Sequence, residues 1–375
     1  MPSTTPPVLC LRALNRATLA RQLLLRRTPM AAKDAVHHLV GLQAQNTKPP
    51  YHALAARLDG FRPEELSGLM ERREVARAVT MRSTLHTHTA DDVLALGPFT
   101  KPVGDRGVRQ FRKRLAGVDV EVLAELVREL VEERPRTPKE IRTVLLERWP
   151  DADPLALTVT ARCALPLVQV TPRGLWGRSG QVELTTTEVW FGPERVRQAS
   201  PACAEDVVVR YLGAFGPASV KDMQTWSGLT RLRYAFERLR PRLVTFRDPR
   251  GTELFDLPDA PRPDPDTPAP PRFLPEFDNL LLSHADRSRV VPPEYRDRTW
   301  QGNQAHRTFL VDGLVAGTWT PDEDRAGAVT VTVRPFAPLT RAEREALTDE
   351  AAHILTTEGG DGPADVRIVS AAGGA

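Results

Sequence analysis

Apolar side chains in the first seventy residues recur every three or four positions, the spacing that gathers them on one face of a helix. This predicts helices over residues 11–27, 31–42, 50–58 and 63–72. The pattern then shortens. "ARAVTMR" (76–82) and "TLHTHT" (84–89) are β-type runs, so the chain should fold back as a small hairpin. Helices followed by a hairpin is the order of a winged helix.

A second unit begins at "RTPKEIRTVLLERWP", where Thr137, Pro138 and Glu140 sit at the N-cap, N1 and N3 positions of a capping box. "DPLALTVTARCA" predicts a second helix, "LPLVQVT" a strand and "QVELTTTEVW" its returning partner. A third unit repeats the layout. "PASVKDMQTWSG" is a short helix with Ser219 near its cap, and "LTRLRYAFERLR" carries an apolar stripe at Leu229, Leu232, Phe236 and Leu239. "LVTFRD" and "TELFDLP" then pair across a turn at Pro249, Arg250 and Gly251. "TPKEIRTVLLERW" and "SVKDMQTWSGLTR" are weak copies, so one supersecondary module is used repeatedly.

The segment "PDAPRPDPDTPAPPR" reads as a stiff linker lying on the surface. Beyond it "NLLLSHA", "RTFLVDG", "LVAGTWT" and "GAVTVTVRPF" read as strands, "TRAEREALTDEAAHILTTEGG" as an amphipathic helix with a glycine stop, and "DVRIV" as a last strand. The expected fold class is α+β. Three tandem winged-helix modules (8–116, 117–193 and 194–257) precede a Pro-rich linker (258–272) and a β-barrel-like domain (273–375).

Composition adds little to this picture except through charge. The apolar and charged fractions are those of an ordinary globular protein. No apolar run suffices for a membrane span and the N-terminus lacks a signal-peptide layout, so a cytoplasmic location is expected. Cys10, Cys163 and Cys203 are too few and too far apart for a disulfide framework or a zinc site. The net charge of +3 hides an asymmetry: residues 1–257 hold 39 Lys+Arg against 29 Asp+Glu, whereas residues 258–375 hold 12 against 19. The first two-thirds is the part suited to a polyanion. Arg162 in the second module, and Arg231 and Arg233 in the third, lie on the helices that would enter a DNA groove, though a solvated helix face would carry arginines as well.

Conventional catalytic signatures are missing: G-x-S-x-G, the P-loop, G-x-G-x-x-G and H-E-x-x-H do not occur. His86 and His88 share one face of a strand, but no third ligand is suggested nearby, so neither metal nor cofactor is expected. His37 and His38 diverge from one helix and read as solvated or core residues. That leaves "VGLQAQNTKPP" (40–50). Within a helix Gln43 and Gln45 would lie about 200° apart. Pro49 and Pro50 favour extended geometry before them, which should end the helix by Asn46 and let both amides face one cleft. The alternative is two polar residues closing a helix.

"LQAQN", "MRSTLHTHTADD", "LPEFDNLLLSHADRSRVV" and the tandem modules together resemble the AlkZ/YcaQ-like winged-helix DNA glycosylases over nearly the whole chain. The Gln-x-Gln form is similar to the AlkZ branch; the YcaQ branch carries Gln-x-Asp. The resemblance implies a concave basic scaffold followed by a β-barrel, excision of N7-alkylated purines, and unhooking of interstrand cross-links made by bis-alkylating natural products. It implies a bacterial, nucleoid-associated monomer acting on double-stranded DNA with alkylated or cross-linked guanine. The essential glutamines fall on Gln43 and Gln45. Lys48, Arg82, His86, Arg287 and Arg289 become further DNA-contact candidates, and Asp278 a residue making local hydrogen bonds. A β-hairpin in the DNA cleft is also implied, for which residues 283–291 and 309–317 both qualify.

Glutamine fits this chemistry. N7-alkylation leaves the purine cationic and ready to depart, so an amide oxygen aiming a water at the anomeric carbon replaces a strong base. A helix ending at the glutamines would add on the order of 1 kcal/mol toward a nearby cation. A cross-linked guanine is tethered and cannot flip fully, so the site should be an open cleft with few aromatic walls. The rival reading is a non-catalytic winged-helix transcriptional regulator, which would bring a dimerisation element and an effector site.

Overall fold

The computed structural model describes residues 6–115, 117–324, 328–358 and 364–370. Helix α1 (Leu11–Arg21) is followed by α2 (Ala32–His38), which stops earlier than its apolar spacing predicts. Val40 and Gly41 take positive φ (54° and 87°), and a Cβ on Gly41 would lie 2.2 Å from the His88 ring. Only glycine allows both the turn and the close approach. The chain leaves the turn extended, as strand β1 (Leu42–Gln43). Pro49 and Pro50 open the next helix, α3 (Pro49–Ala55), instead of closing the last one. Proline suits a first helical turn because the N–H it lacks would have no partner there.

After α4 (Pro63–Glu71), β2 (Val75–Val79) and β3 (Leu85–Thr89) pair around a 3-10 turn, Met81–Ser83. The long helix α5 (Ala90–Phe111) carries Pro98 and Pro102 inside it, which hides it from a reading of apolar spacing. Next come α6 (Val120–Glu133), α7 (Pro138–Arg148) with the expected Thr137–Glu140 capping box, α8 (Pro154–Ala164), β4 (Leu167–Gln169) and β5 (Leu184–Thr186). "TTTEVW" does not continue as a strand. Thr186 caps it into α9 (Thr187–Phe191), followed by α10 (Pro193–Gln198).

The third unit is α11 (Ala204–Phe215), α12 (Val220–Ser227) with a Ser219–Asp222 capping box, α13 (Arg233–Leu239), β6 (Val244–Arg247) and β7 (Glu253–Asp256). Its stripe of Leu229, Leu232, Phe236 and Leu239 packs against Tyr211, Phe215, Trp226 and Phe255. The first two hairpins, expected as separate wings, are one sheet in the order β1-β3-β2-β4-β5, with Ala78 opposite Val168 where the units meet. The third hairpin pairs with itself.

The proline-rich segment runs across the surface and is held there, Arg16 Nε donating to the Thr267 carbonyl at 2.7 Å. Then follow β8 (Arg272–Leu274), α14 (Asn279–Leu282), β9 (Trp300–Gln301), β10 (Gln304–Ala305), β11 (Thr308–Val311), β12 (Leu314–Glu323), β13 (Val329–Pro335), α15 (Arg341–Glu358) and β14 (Ala364–Ile368). "NLLLSHA" begins as helix α14 and not as a strand, because the Asp278 carboxylate accepts the Leu280 amide as an N-cap. The expected barrel is an open sheet, ordered β14-β13-β12-β11-β8, whose two edges do not pair. Leu347, Ala351 and Ile354 of α15 lie over Phe273, Phe309, Trp319, Val331 and Val333, so a helix covers the face that barrel closure would have enclosed. The expected glycine stop, Gly359 and Gly360, lies outside the described residues. Among those residues no helix is long and apolar enough to cross a membrane.

Ion pairs tie the N-terminal segment to later parts of the chain, the third unit through Asp256 and the C-terminal part through Asp278 and Glu350. Arg57 meets Asp278 through two bonds of 2.8 and 2.9 Å, Arg21 meets Asp256, and Arg27 meets Glu350 at 2.6 Å.

Candidate active site

Strand β1 runs antiparallel to β3, with Gln43 opposite His86. The ladder continues for one more bond, Ala44 N–H to the Leu85 carbonyl at 2.8 Å. The Leu85 N–H then takes the Gln45 side-chain oxygen, at 3.3 Å, in place of a backbone partner. Gln43 is thus the last residue of β1, and Gln45 lies two residues on, in the bend that follows, with its side chain standing in for the next bond of the ladder. Both amides reach the β2–β3 hairpin, Gln43 through Arg82 and Gln45 through the Leu85 N–H, and a strand, not a helix end, carries Gln43 there. Since α2 ends before the Val40–Gly41 turn, the helix-end charge expected at the glutamines is absent.

Arg82 lies in the left-handed region (φ 55°) in the turn between β2 and β3, which folds it back over the sheet. Its Nη2 donates to Gln43 Oε1 at 2.6 Å and approaches His86 Nε2 at 3.4 Å, and its Nη1 donates to the Trp226 carbonyl. Gly228 packs directly on it: a Cβ there would fall 2.9 Å from Arg82 Cα. Burial, and then repulsion from Arg287, pushes the Arg82 pKa down to about 10. His86 Nδ1 faces the Thr84 carbonyl at 3.0 Å and must donate to it, leaving Nε2 as the acceptor facing Arg82. Burial, Arg82 and His88 together hold this imidazole well below its ordinary value, so it is neutral at physiological pH. Both side chains thus face inward, Arg82 to the Gln43 amide and the Trp226 carbonyl, His86 to the Thr84 carbonyl and Arg82.

His88 stacks on His86 with ring centroids 5.6 Å apart and bonds Thr80 Oγ1 through Nε2 at 2.9 Å. With both nitrogens of His86 turned to Thr84 and Arg82, the pair does not present a chelating edge. Among the described residues no three His, Cys, Asp or Glu side chains converge as a metal site would require.

Two neighbours escape a reading by motif. Asn46 Nδ2 donates to Glu276 Oε1 at 3.0 Å, and Arg307 Nε donates to Glu276 Oε2 at 2.7 Å. Burial pushes the Glu276 carboxyl up, but the Arg307 charge, its own backbone amide and Asn46 outweigh this and hold it below the usual range. An anion thus stands beside the glutamine loop. The only local signal for it is an acid set within the apolar run "RFLPEF".

The other expected contacts scatter. Lys48 is exposed, its ammonium 5.1 Å from the centre of the Trp176 ring. Arg287 is half-buried and lies over Trp300 at 5.5 Å, and Trp300 in turn meets Phe277, next to Glu276, at 5.7 Å. Arg162 is exposed and lines a cavity of about 620 Å³ whose other walls include Gln45, Ser83, Leu85, Lys101 and Thr158. Among the described residues no aromatic ring lines that cavity. Arg231 is exposed, and Arg233 is spent on Glu237 and Glu253 at 3.0 and 3.6 Å. Arg289 is buried and donates to Thr18 Oγ1 and the Pro217 carbonyl, which leaves it no face for DNA. Asp278 caps α14 as expected of a locally bonded residue, but its main partner is the distant Arg57. Of the two expected hairpins, residues 283–291 form a turn without strands. In residues 309–317 the turn of β11 and β12 is clamped on α1, where Asn15 donates to the Gly313 carbonyl and Arg12 and Arg16 reach Asp312.

The model of the AlkZ-like DNA glycosylases matches residues 36–356, most of the chain. The chain belongs to this family. An "Interstrand DNA cross-link repair glycosylase" of Streptomyces sahachiroi is 26% identical over 365 residues, 91% of this chain and 94% of that protein. The solved structure of the S. sahachiroi DNA glycosylase AlkZ superposes with a TM-score of 0.78 at 22% identity, covering 96% of this chain and all of that one, a likeness of fold. Membership in a glycosylase family does not favour the regulator. The reaction of such a glycosylase is hydrolysis of an N-glycosyl bond; around the Gln-x-Gln loop of this chain stand two amides, a buried arginine and a carboxylate.

Proposed function

We propose that a single copy of this glycosylase releases N7-alkylated guanine from duplex DNA and unhooks interstrand cross-links attached through that nitrogen, with Gln43 and Gln45 as the residues that meet the substrate. The observation that carries the reading is that two neighbouring amides are both held on the β2–β3 hairpin, each with its oxygen fixed by a donor of the protein, Arg82 for Gln43 and the Leu85 amide for Gln45. A cationic purine needs little chemical push, so fixed polar groups that place a water and receive the departing base suffice. Cross-links are favoured by the S. sahachiroi relative's name and by the cavity beside Gln45, which is roomy and bare of stacking rings.

In this reading the first three helix-and-hairpin runs are winged-helix modules whose basic face holds the duplex, with Lys48, Arg162, Arg231 and Arg287 touching phosphates. The hairpin that enters the DNA is β9 and β10. Its residues 301–304 are exposed, its Trp300 packs on Phe277 beside the glutamine loop, and its turn is not clamped on α1.

The test is base release from a duplex with one N7-methylguanine, together with conversion of a duplex cross-linked by a bifunctional N7-alkylator into separable strands. Release from neither, with binding retained, sinks the reading. The pH profile gives a second check. His86 is already neutral, Glu276 already ionised, and Arg82 keeps its proton until pH about 10. The rate above uncatalysed depurination is therefore expected to be flat from pH ~6 to ~9 and to fall as pH rises through the Arg82 value. A sloping limb near neutrality would contradict it.

A further inference from the structure

The orientation of the two amides divides their labour. A guanidinium has only donors, so the Gln43 atom that Arg82 meets at 2.6 Å must be the carbonyl oxygen. The bond is short and charge-assisted, the guanidinium is pinned at its other end by the Trp226 carbonyl, and His86 lies against the same nitrogen. That oxygen is covered. Among the described residues no protein acceptor meets the NH2 branch, and Gln43 as a whole is 7% exposed, so the NH2 is the part of its amide offered to a ligand. Polarisation by a bound cation also makes that NH2 a stronger donor. Gln45 differs. Its oxygen accepts only a long 3.3 Å bond from a neutral amide, and its side chain is exposed. A carbonyl oxygen has two lone pairs, so one remains to accept from a water.

We propose that Gln43 works as a hydrogen-bond donor to the carbonyl at position 6 of the departing guanine, with Arg82 as the positioning residue that turns its amide, while Gln45 is the acceptor that holds the water. This rests on the glycosylase reading of the site. Position 6 shares the major-groove edge with N7, so a donor there meets the alkylated edge of the base. As the glycosyl bond breaks, its electron pair passes to the purine, whose positive charge disappears and whose position-6 oxygen becomes a better acceptor, while the water held by Gln45 adds to the anomeric carbon and gives up a proton to solvent. The Gln43 bond therefore strengthens toward the transition state, the condition for it to speed the reaction and not merely bind substrate. Adenine carries an amino donor at this position and would face the Gln43 NH2 donor to donor.

The experiment is single-turnover release of N7-methylguanine and of N7-methyladenine from otherwise identical duplexes, by wild type and by Gln43→Glu, Gln45→Glu and Arg82→Lys, each checked for melting temperature and duplex affinity. A carboxylate at position 43 keeps the Arg82 contact, which preserves the fold, but it has no NH2. We expect Gln43→Glu to lose about 100-fold on N7-methylguanine, the typical effect of removing one such donor. It should lose much less on N7-methyladenine, whose amino group the carboxylate accepts. Gln45→Glu, which keeps an acceptor, should stay within about tenfold of wild type. Arg82→Lys should lie between wild type and Gln43→Glu on guanine, since one ammonium cannot hold Gln43 and Trp226 in the same fork. A shift in base preference is something a purely structural role would not move.

Gln43→Glu matching or exceeding wild type on N7-methylguanine would show that the oxygen is the working atom and overturn the proposal. Equal loss on both bases would overturn the assignment to position 6. A wild type that binds duplex yet releases neither base would bring down the glycosylase reading and the proposal together, an outcome distinct from the other two.

Discussion

Replacing Gln43 or Gln45 with alanine is expected to slow single-turnover release of N7-methylguanine by about 100-fold or more, while duplex affinity changes by no more than a few-fold. The reason lies in what each amide does before substrate arrives. Arg82 and the Leu85 N–H fix the two oxygens, so the substrate meets groups already oriented, and the entropy of ordering them is spent in folding. Affinity should survive, because under the proposed function it rests on phosphate contacts of residues other than the two glutamines. Rapid-quench measurement of released base, paired with fluorescence anisotropy on the same duplex, separates the two quantities. Full-rate release by both alanine variants would reduce the pair to polar residues at the edge of a sheet.

The second large effect is on stability. Arg57 and Asp278 face one another with no exposed side-chain surface and join α3 to the entrance of the C-terminal sheet. Deleting one partner strands a buried charge, so Asp278→Ala should cost about 3–5 kcal/mol. It also removes the N-cap of α14. Urea unfolding followed by circular dichroism reads the loss as a shift in midpoint. The double replacement Arg57→Met with Asp278→Leu should recover part of it, because two apolar side chains leave no charge unpaired. A midpoint unmoved by Asp278→Ala would show that the pair is not what holds the two parts together.

What the sequence discloses here is what is written locally. The capping box at Thr137, the cap at Ser219 and the stripe of Leu229, Leu232, Phe236 and Leu239 are each written within about a dozen residues, and each is present, though α13 itself starts only at Arg233. The Gln-x-Gln pair stands out for the same reason, but it lies on a strand and the bend after it, not at a helix end: the prolines after it begin a helix, and Val40 and Gly41 end one. Helix α5 is hidden by its own Pro98 and Pro102. The merging of two hairpins into one sheet, the open edges of the C-terminal sheet and the inward turn of Arg82 depend on partners far away in the chain, which periodicity does not report. Glu276 is the clearest case, a carboxylate brought to Asn46 across 230 residues.

That separation has a bearing on when the site comes into being. The strand carrying the glutamines is made early, but the carbonyl that anchors Arg82 belongs to Trp226 and the anion beside the loop to Glu276. During synthesis, which runs from the N-terminus, a chain halted before the proline-rich segment would carry both amides and some of the basic face without Glu276 beside the loop. DNA would meet the finished arrangement only after nearly three-quarters of the protein had left the ribosome, so on the proposed contacts a partly made chain would hold DNA before it had the complete means of cutting a base from it.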